Sequence, residues 1–146
     1  MTIETVTPHN FEAVLPLIAG YQHFYGAEPD ENRNRAHFSQ FLEDHSRGVL
    51  FVALDDGAAV GFATLYCPFS SVRARAIRLM NDLFTVEAAR GRGVGRALME
   101  YCRHYAAAHD FPTLEWNTAQ DNVSAQRLYD ALNAKRSAWL NYNLPA

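Results

Sequence analysis

The chain is 146 residues long and 49% apolar, with 13 Lys and Arg against 16 Asp and Glu and a formal charge of −3. That length suits a single domain over residues 1–146 with a proper core, and that charge gives no general attraction to nucleic acid or to an acidic membrane. No apolar run reaches membrane-span length, the start lacks the regions of a signal peptide, Cys67 and Cys102 are too few for a disulfide framework, and the six histidines show no metal-ligand spacing. The expectation is a reduced, cytoplasmic protein without a metal.

Thr2 to Thr7 alternates weakly and predicts a short strand. Thr7-Pro8 reads as a helix cap and first helical residue. Phe11, Val14, Leu15, Ile18, Tyr21 and Tyr25 then recur at helical spacing. Pro16 demands a kink or a late start, because proline inside a helix costs about 3 kcal/mol. A second, more polar helix is expected from Asp30 to Asp44, after an acidic patch of Glu28, Asp30 and Glu31. Val49–Leu54 and Ala59–Tyr66 form a predicted hairpin around Asp55-Asp56-Gly57. Pro68, Ser70 and Ser71 end it, and one strand with a wet face is expected from about Arg75 to Val86. Val94, Leu98, Tyr101, Cys102 and Tyr105 mark a helix to about His109. Thr113–Asn117 is a short strand. Asp121-Asn122 caps a helix with Ala125, Leu128, Tyr129 and Leu132 inside, and Asn133 stands at its left-handed stop. Ser137–Leu144 is predicted as a last strand carrying Trp139 and Tyr142. The order is β, α, α, β, β, β, α, β, α, β. It predicts an α/β (α+β) fold whose mixed, mostly antiparallel sheet has helices on both faces.

The stretch Arg90-Gly91-Arg92-Gly93-Val94-Gly95-Arg96 carries the clearest chemistry. A strand feeds it and a helix leaves it. Interleaved glycines let backbone N–H groups turn to one side, the helix start adds free N–H groups and a positive dipole end, and the arginines add charge. The product is a cradle for a phosphate or pyrophosphate. The glycine spacing is wrong for a dinucleotide fingerprint, since Arg96 and Leu98 stand where its third glycine belongs. A P-loop is excluded because Lys135 is the chain's single lysine. Asn122 and Tyr129, seven apart, share one helix face. The long crossovers imply that the strand at 81–86 runs parallel to the strand at 113–117.

With these residues placed, the sequence resembles the GCN5-related N-acetyltransferases. Arg90-x-x-Gly93-x-Gly95 matches the family's central motif in full, and Asn122-x-x-Ala125-x-x-x-Tyr129 matches its later one. The resemblance implies acetyl-coenzyme A as co-substrate in a gap where the parallel strands splay. It implies pyrophosphate contacts from Arg90, Gly91, Arg92, Gly93, Val94, Gly95, Arg96 and Ala97. Phe84, Thr85 and Val86 would pair with the pantetheine arm, a β-bulge near Leu83–Phe84 would aim an N–H at the thioester oxygen, and Asn122 and Ala125 would complete the cofactor wall. The implied reaction is direct attack by an amine.

A departing thiolate needs a proton, and the phenol of Tyr129 can supply it, its reference pKa of about 10 lying near the thiol's of about 8.5. Tyr129 is therefore the candidate general acid. Where many members carry a basic Glu, this chain has Asn81 followed by Asp82. Asp82 is the candidate base, acting through water, with Glu115, His23 and Glu28 as weaker candidates. The first helix, Asn81–Phe84 and the chain end are similar to the polyamine and histone acetyltransferase-like branch. That likeness implies an acceptor pocket of Tyr21, Tyr25, Glu28 and Asn81 and a homodimer. The acceptor is a small-molecule or peptide amine, and an inactive coenzyme A-binding sensor is the alternative reading.

Overall fold

A computed structural model describes all of residues 1–146. The chain forms strands β1 (Thr2–Thr5), β2 (Gly48–Asp55), β3 (Ala58–Tyr66), β4 (Phe69–Ser70), β5 (Arg75–Ala76), β6 (Arg78–Thr85) and β7 (Leu114–Glu115). Its helices are α1 (Leu15–Phe24), α2 (Glu31–Ser39), α3 (Val94–Ala108) and α4 (Val123–Ala131). The main sheet runs β1-β2-β3-β6-β7. Every neighbouring pair is antiparallel except β6–β7, which is parallel as the crossover lengths require.

The β2–β3 hairpin turns on Asp56 and Gly57, whose φ angles of 49° and 79° suit the mirror-image turn that matches strand twist. One face of the sheet packs Leu50, Val52 and Phe62 against α1 and α2. The other packs Val49, Phe51, Ala63 and Leu65 against Leu98, Met99 and Cys102 of α3. Alternation along the two central strands therefore builds two cores at once.

Four expectations need correction. The first helix begins at Leu15, not Pro8, with one 3₁₀ turn before it (Phe11–Ala13). Pro16 fits only in the first turn, where its missing N–H has no partner to lose. Thr7 caps neither start, and neither start has a side-chain cap; the Thr7 N–H instead donates to Asn10 Oδ1 at 2.8 Å.

The expected strand from Arg75 to Val86 is interrupted at Ile77. Its first two residues leave to pair with β4, and Arg78 is 5% exposed against the Phe111 ring. The bulge lies at Asn81 rather than at Leu83–Phe84, because Thr64 pairs with Asp82 while Leu65 pairs with Met80. The last strand does not form. Ser137–Leu144 has no ladder partner within the chain, and Trp139, Tyr142 and Leu144 stand 85–91% exposed. A strand needs a neighbour for its N–H and C=O groups, and β7, two residues long, offers almost none.

Candidate active site

β7 accompanies β6 for two residue pairs only, Arg78–Leu114 and Leu79–Glu115. Beyond Leu79 the strands part. The β6 backbone from Met80 to Thr85 is then free on that side and borders a cleft of about 430 Å³. This is the splayed pair the resemblance implies. Bulging at Asn81 turns that exposed side chain toward the cleft and sends the next one, Asp82, down into the core, 4% exposed.

The glycine turn closes one end. Gly91 and Gly93 hold φ angles of 74° and 84°, and Gly93 is the residue from which α3 starts. The earliest hydrogen bond of α3 runs from the Ala97 N–H to the Gly93 carbonyl at 3.0 Å, so the amides before it have no partner within the helix. Both glycines line the cleft and neither has an atom within 4 Å of where a Cβ would stand. A side chain there would fill ligand space. Arg90 and Arg96 are the charged side chains of the lining. Arg90 also donates from Nε to the Thr85 carbonyl at 3.2 Å and leans over the Phe24 ring. Free amides, a positive helix end and two guanidinium groups fit a pyrophosphate.

Of the sequence-predicted residues, Phe84, Thr85, Arg90, Gly91, Gly93, Val94, Gly95, Arg96, Asn122, Ala125, Tyr129, Tyr21, Tyr25 and Asn81 all line this one cleft. Val86 and Ala97 flank it. Arg92 turns away and pairs with Asp55 at 2.6 Å, and Glu28 is exposed outside the lining. Glu115 is held by Arg73. Sequence reasoning missed Phe24, Met80, Leu83, Ala89, Trp116, Asn117, Ser124 and Leu128 as lining residues. Leu128 sat on a helix stripe read as core, Phe24 fell outside the stripe of the first helix, and only the splay of β7 shows which neighbours of Trp116 face the cleft.

Asn122 caps α4, accepting from the Ala125 N–H at 3.2 Å, and so fixes the face that carries Tyr129. The Tyr129 ring stands 5.2 Å from Trp116, edge to face. Burial, with Tyr25 nearby, pushes its phenol above the usual tyrosine range, so it holds its proton at neutral pH. Across the cleft, Tyr21 packs edge-on to Tyr25, Phe62 and Phe84. Its hydroxyl donates to the Asn81 carbonyl at 3.4 Å. Below it lies Asp82, whose Oδ1 accepts from Asn81 Nδ2 at 2.9 Å and whose Oδ2 is buried without a partner. Burial pushes this carboxyl above the usual range, opposed by Thr64, Asn81, Tyr21 and the more distant His37.

The splayed parallel pair, the glycine turn at a helix start and the Tyr129 phenol thus share one cleft. The chain belongs to the acetyltransferase (GNAT) family, whose model matches residues 16–133. It is 33% identical over 130 residues to the uncharacterized N-acetyltransferase YhfO of Bacillus subtilis (strain 168), covering 89% of this chain and 87% of that one. It is 30% identical over 131 residues to the D-amino-acid N-acetyltransferase HPA3 of Saccharomyces cerevisiae, covering 88% of this chain and 81% of that one. A crystal structure of a probable acetyltransferase superposes with a TM-score of 0.88 at 27% identity, over 100% of this chain and 98% of that one. The protein is thus an acetyl-coenzyme A-dependent N-acetyltransferase. No helix is long and apolar enough to cross a membrane.

Proposed function

We propose that the acceptor is the primary amine of a small, amino-acid-like molecule, with Tyr129 as general acid and Asp82 as general base. The observation that carries this is the charge of the cleft. Its lining holds two arginines and no carboxylate, with Tyr21, Tyr25 and Phe24 as a connected aromatic wall that reaches Arg90. A polyamine would present several cations to a wall without an acidic group. One amine beside an anionic or neutral body suits it better. The likeness to HPA3, a D-amino-acid N-acetyltransferase, supports the same choice.

In this reading acetyl-coenzyme A supplies the activated acyl group, and Arg90, Arg96 and the amides of the glycine turn hold its pyrophosphate. The free edge of β6 past Leu79 provides fixed N–H donors for the oxyanion, which act in a partly dry cleft. Asp82 takes the first proton of the ammonium through Tyr21, and the neutral nitrogen forms its bond to the acyl carbon. Tyr129 protonates the leaving sulfur as the carbon–sulfur bond breaks, and its proton is replaced by the second one leaving nitrogen.

The test is free-thiol release with D- and L-amino acids, spermidine and an aminoglycoside as acceptors. D- or L-amino acids are expected to turn over best, and preference for spermidine would overturn the acceptor assignment. Tight coenzyme A binding without turnover of any amine would favour the sensor reading. Tyr129→Phe is expected to lower kcat by about 10²-fold with cofactor affinity retained; an unchanged kcat removes the phenol from its role.

The expected homodimer belongs to the same reading. Trp139, Leu140, Tyr142 and Leu144 form an exposed apolar ribbon, which a second copy would cover. Sedimentation should give a dimer that Trp139→Asp weakens, and a monomer at all concentrations would overturn it.

A further inference from the structure

The buried face of β6 carries more polar chemistry than acetyl transfer at the cleft surface needs. Asp82 opposes Thr64 across the β3–β6 ladder, and Tyr66, two residues along, points from the same face of β3. Tyr66 is half-buried and packs its ring 5.5 Å from Phe41. Its hydroxyl lies 2.9 Å from Nε2 of His37, a residue of α2 that is itself exposed. On the cleft side, Tyr21 lines the pocket and stands beside the same carboxylate. The fold thus gathers four proton-carrying groups on one side of the sheet, Tyr21 from α1, Asp82 from β6, Tyr66 from β3 and His37 from α2, with Tyr66 and His37 hydrogen-bonded and Asp82 Oδ2 left without a partner. Tyr21 borders the cleft and His37 borders solvent.

We propose that Tyr66 and His37 are the outlet of a buried proton path that starts at the amine pocket with Tyr21 and Asp82. The proposal rests on the assignment of Asp82 as base and deepens it. A base 4% exposed must return its proton to water before the next turnover, and no direct route lies open to it. The path supplies one. The ammonium gives a proton to the Tyr21 oxygen as Tyr21 gives its own to Asp82. Asp82 then passes a proton toward the Tyr66 oxygen as Tyr66 gives its own to His37, which loses one to bulk water. Each group ends as it began, and one proton leaves per amide formed.

The groups facing Asp82 set its charge. Tyr21 on α1, Thr64 on β3 and Asn81 on its own strand favour the carboxylate, as does His37 on α2 when charged. Burial and then the negative charge of Asp82 push the Tyr66 phenol up to about 12, and burial with Asp82 raises Tyr21 further, so both phenols stay protonated and relay rather than ionise. Tyr25 and Tyr129 face Tyr21 from α1 and α4 and add to that effect.

Tyr66 and His37 are positioning residues, and they are separated from structural ones by a rate that is lost without affinity. With the best amine of the acceptor panel, Tyr66→Phe and His37→Ala are each expected to lower kcat about ten-fold, leaving KM for both substrates within about two-fold. Imidazole in the buffer should restore His37→Ala, since a soluble base can stand in for the outlet. A second readout needs no turnover: the carboxyl carbon of Asp82, followed by NMR, should titrate at higher pH in His37→Gln than in the natural chain. Full kcat in both variants, or an unmoved Asp82 midpoint, overturns the outlet. If Asp82→Asn also keeps full kcat, the assignment of the base fails instead, and with it the starting point of the path.

Discussion

The two faces of the five-stranded sheet are made of different material. Under α3 the core is Val49, Phe51, Ala53, Ala63, Leu65, Met80, Leu98, Met99 and Cys102, with a buried arginine, Arg78, only at its far end. Under α1 and α2 a core of similar size surrounds Asn34, Thr64 and Asp82, each buried. Buried polar groups cost stability unless fully paired, and Asp82 Oδ2 is not paired. The dry face backs the helix that leaves the glycine turn, and the wet face carries the groups of the proposed proton chemistry. Each face leaves a buried charge incompletely paired, Arg78 Nε and Nη1 at the far end of the α3 face and Asp82 Oδ2 where a strand bulge turns a carboxylate inward, and the comparison teaches that the second lies beside the cleft.

The sharpest way to break that division is to damage the dry face. Leu98 is fully buried on α3. Leu98→Ala should cost about 3 kcal/mol of unfolding free energy in a denaturant titration, from lost transfer energy and a residual cavity. The pH dependence of kcat should stay as it was. A shifted pH profile with little loss of stability would mean that the α3 face also carries proton chemistry.

The wet face should respond in the opposite sense. Asp82→Asn should lower kcat by about 10²-fold, the usual yield of a placed base. The same change should raise Tm near neutral pH. The sign follows from linkage: a carboxyl raised in the folded state binds more protons folded than unfolded, so its effect on stability worsens as pH rises above the unfolded value of 3.8. The Tm gain should therefore shrink as pH falls toward that value. A Tm loss at neutral pH would show that Asp82 is a structural anchor.

How much of this was readable beforehand depends on the range of the interactions. The β2–β3 hairpin, α3, the Asn122 cap and the left-handed Asn133 all follow from neighbours in sequence, and all are present. The cradle was legible for the same reason, because its glycines, arginines and helix start are contiguous. The bulge was displaced from Leu83–Phe84 to Asn81 because register is set by β3, whose Thr64 pairs with Asp82 from a distant part of the chain, and no local pattern records it. Arg92 looked equivalent to Arg96 until the fold brought Asp55 beside it. The chain end alternates like a strand, yet strand propensity forms no strand without a ladder.

A smaller effect should come from the cradle itself. Gly93→Val puts a β-branched side chain at a φ of 84° and into the cleft. It should weaken coenzyme A binding about ten-fold or more, read by calorimetry, through strain and lost approach to the free amides. Unchanged affinity would refute the pyrophosphate placement and leave the dry face with no ligand to hold.

The smallest expected effect probes the wet face away from its chemistry. Asn34 is 4% exposed and exchanges two hydrogen bonds of 2.8 Å with Gln22, joining α2 to α1. Asn34→Ala strands the Gln22 amide and should cost about 1–2 kcal/mol of stability. Replacing both partners with apolar residues of similar shape should recover most of that loss, because no buried group is then left unpaired. Since α1 carries Tyr21 and α2 carries His37, the single variant should also loosen the ends of the proton path and lower kcat by a small factor. The double replacement should restore stability and rate together. Recovery of stability without rate would assign the amide pair a part in proton transfer, and the wet face would then hold no polar group that serves packing alone.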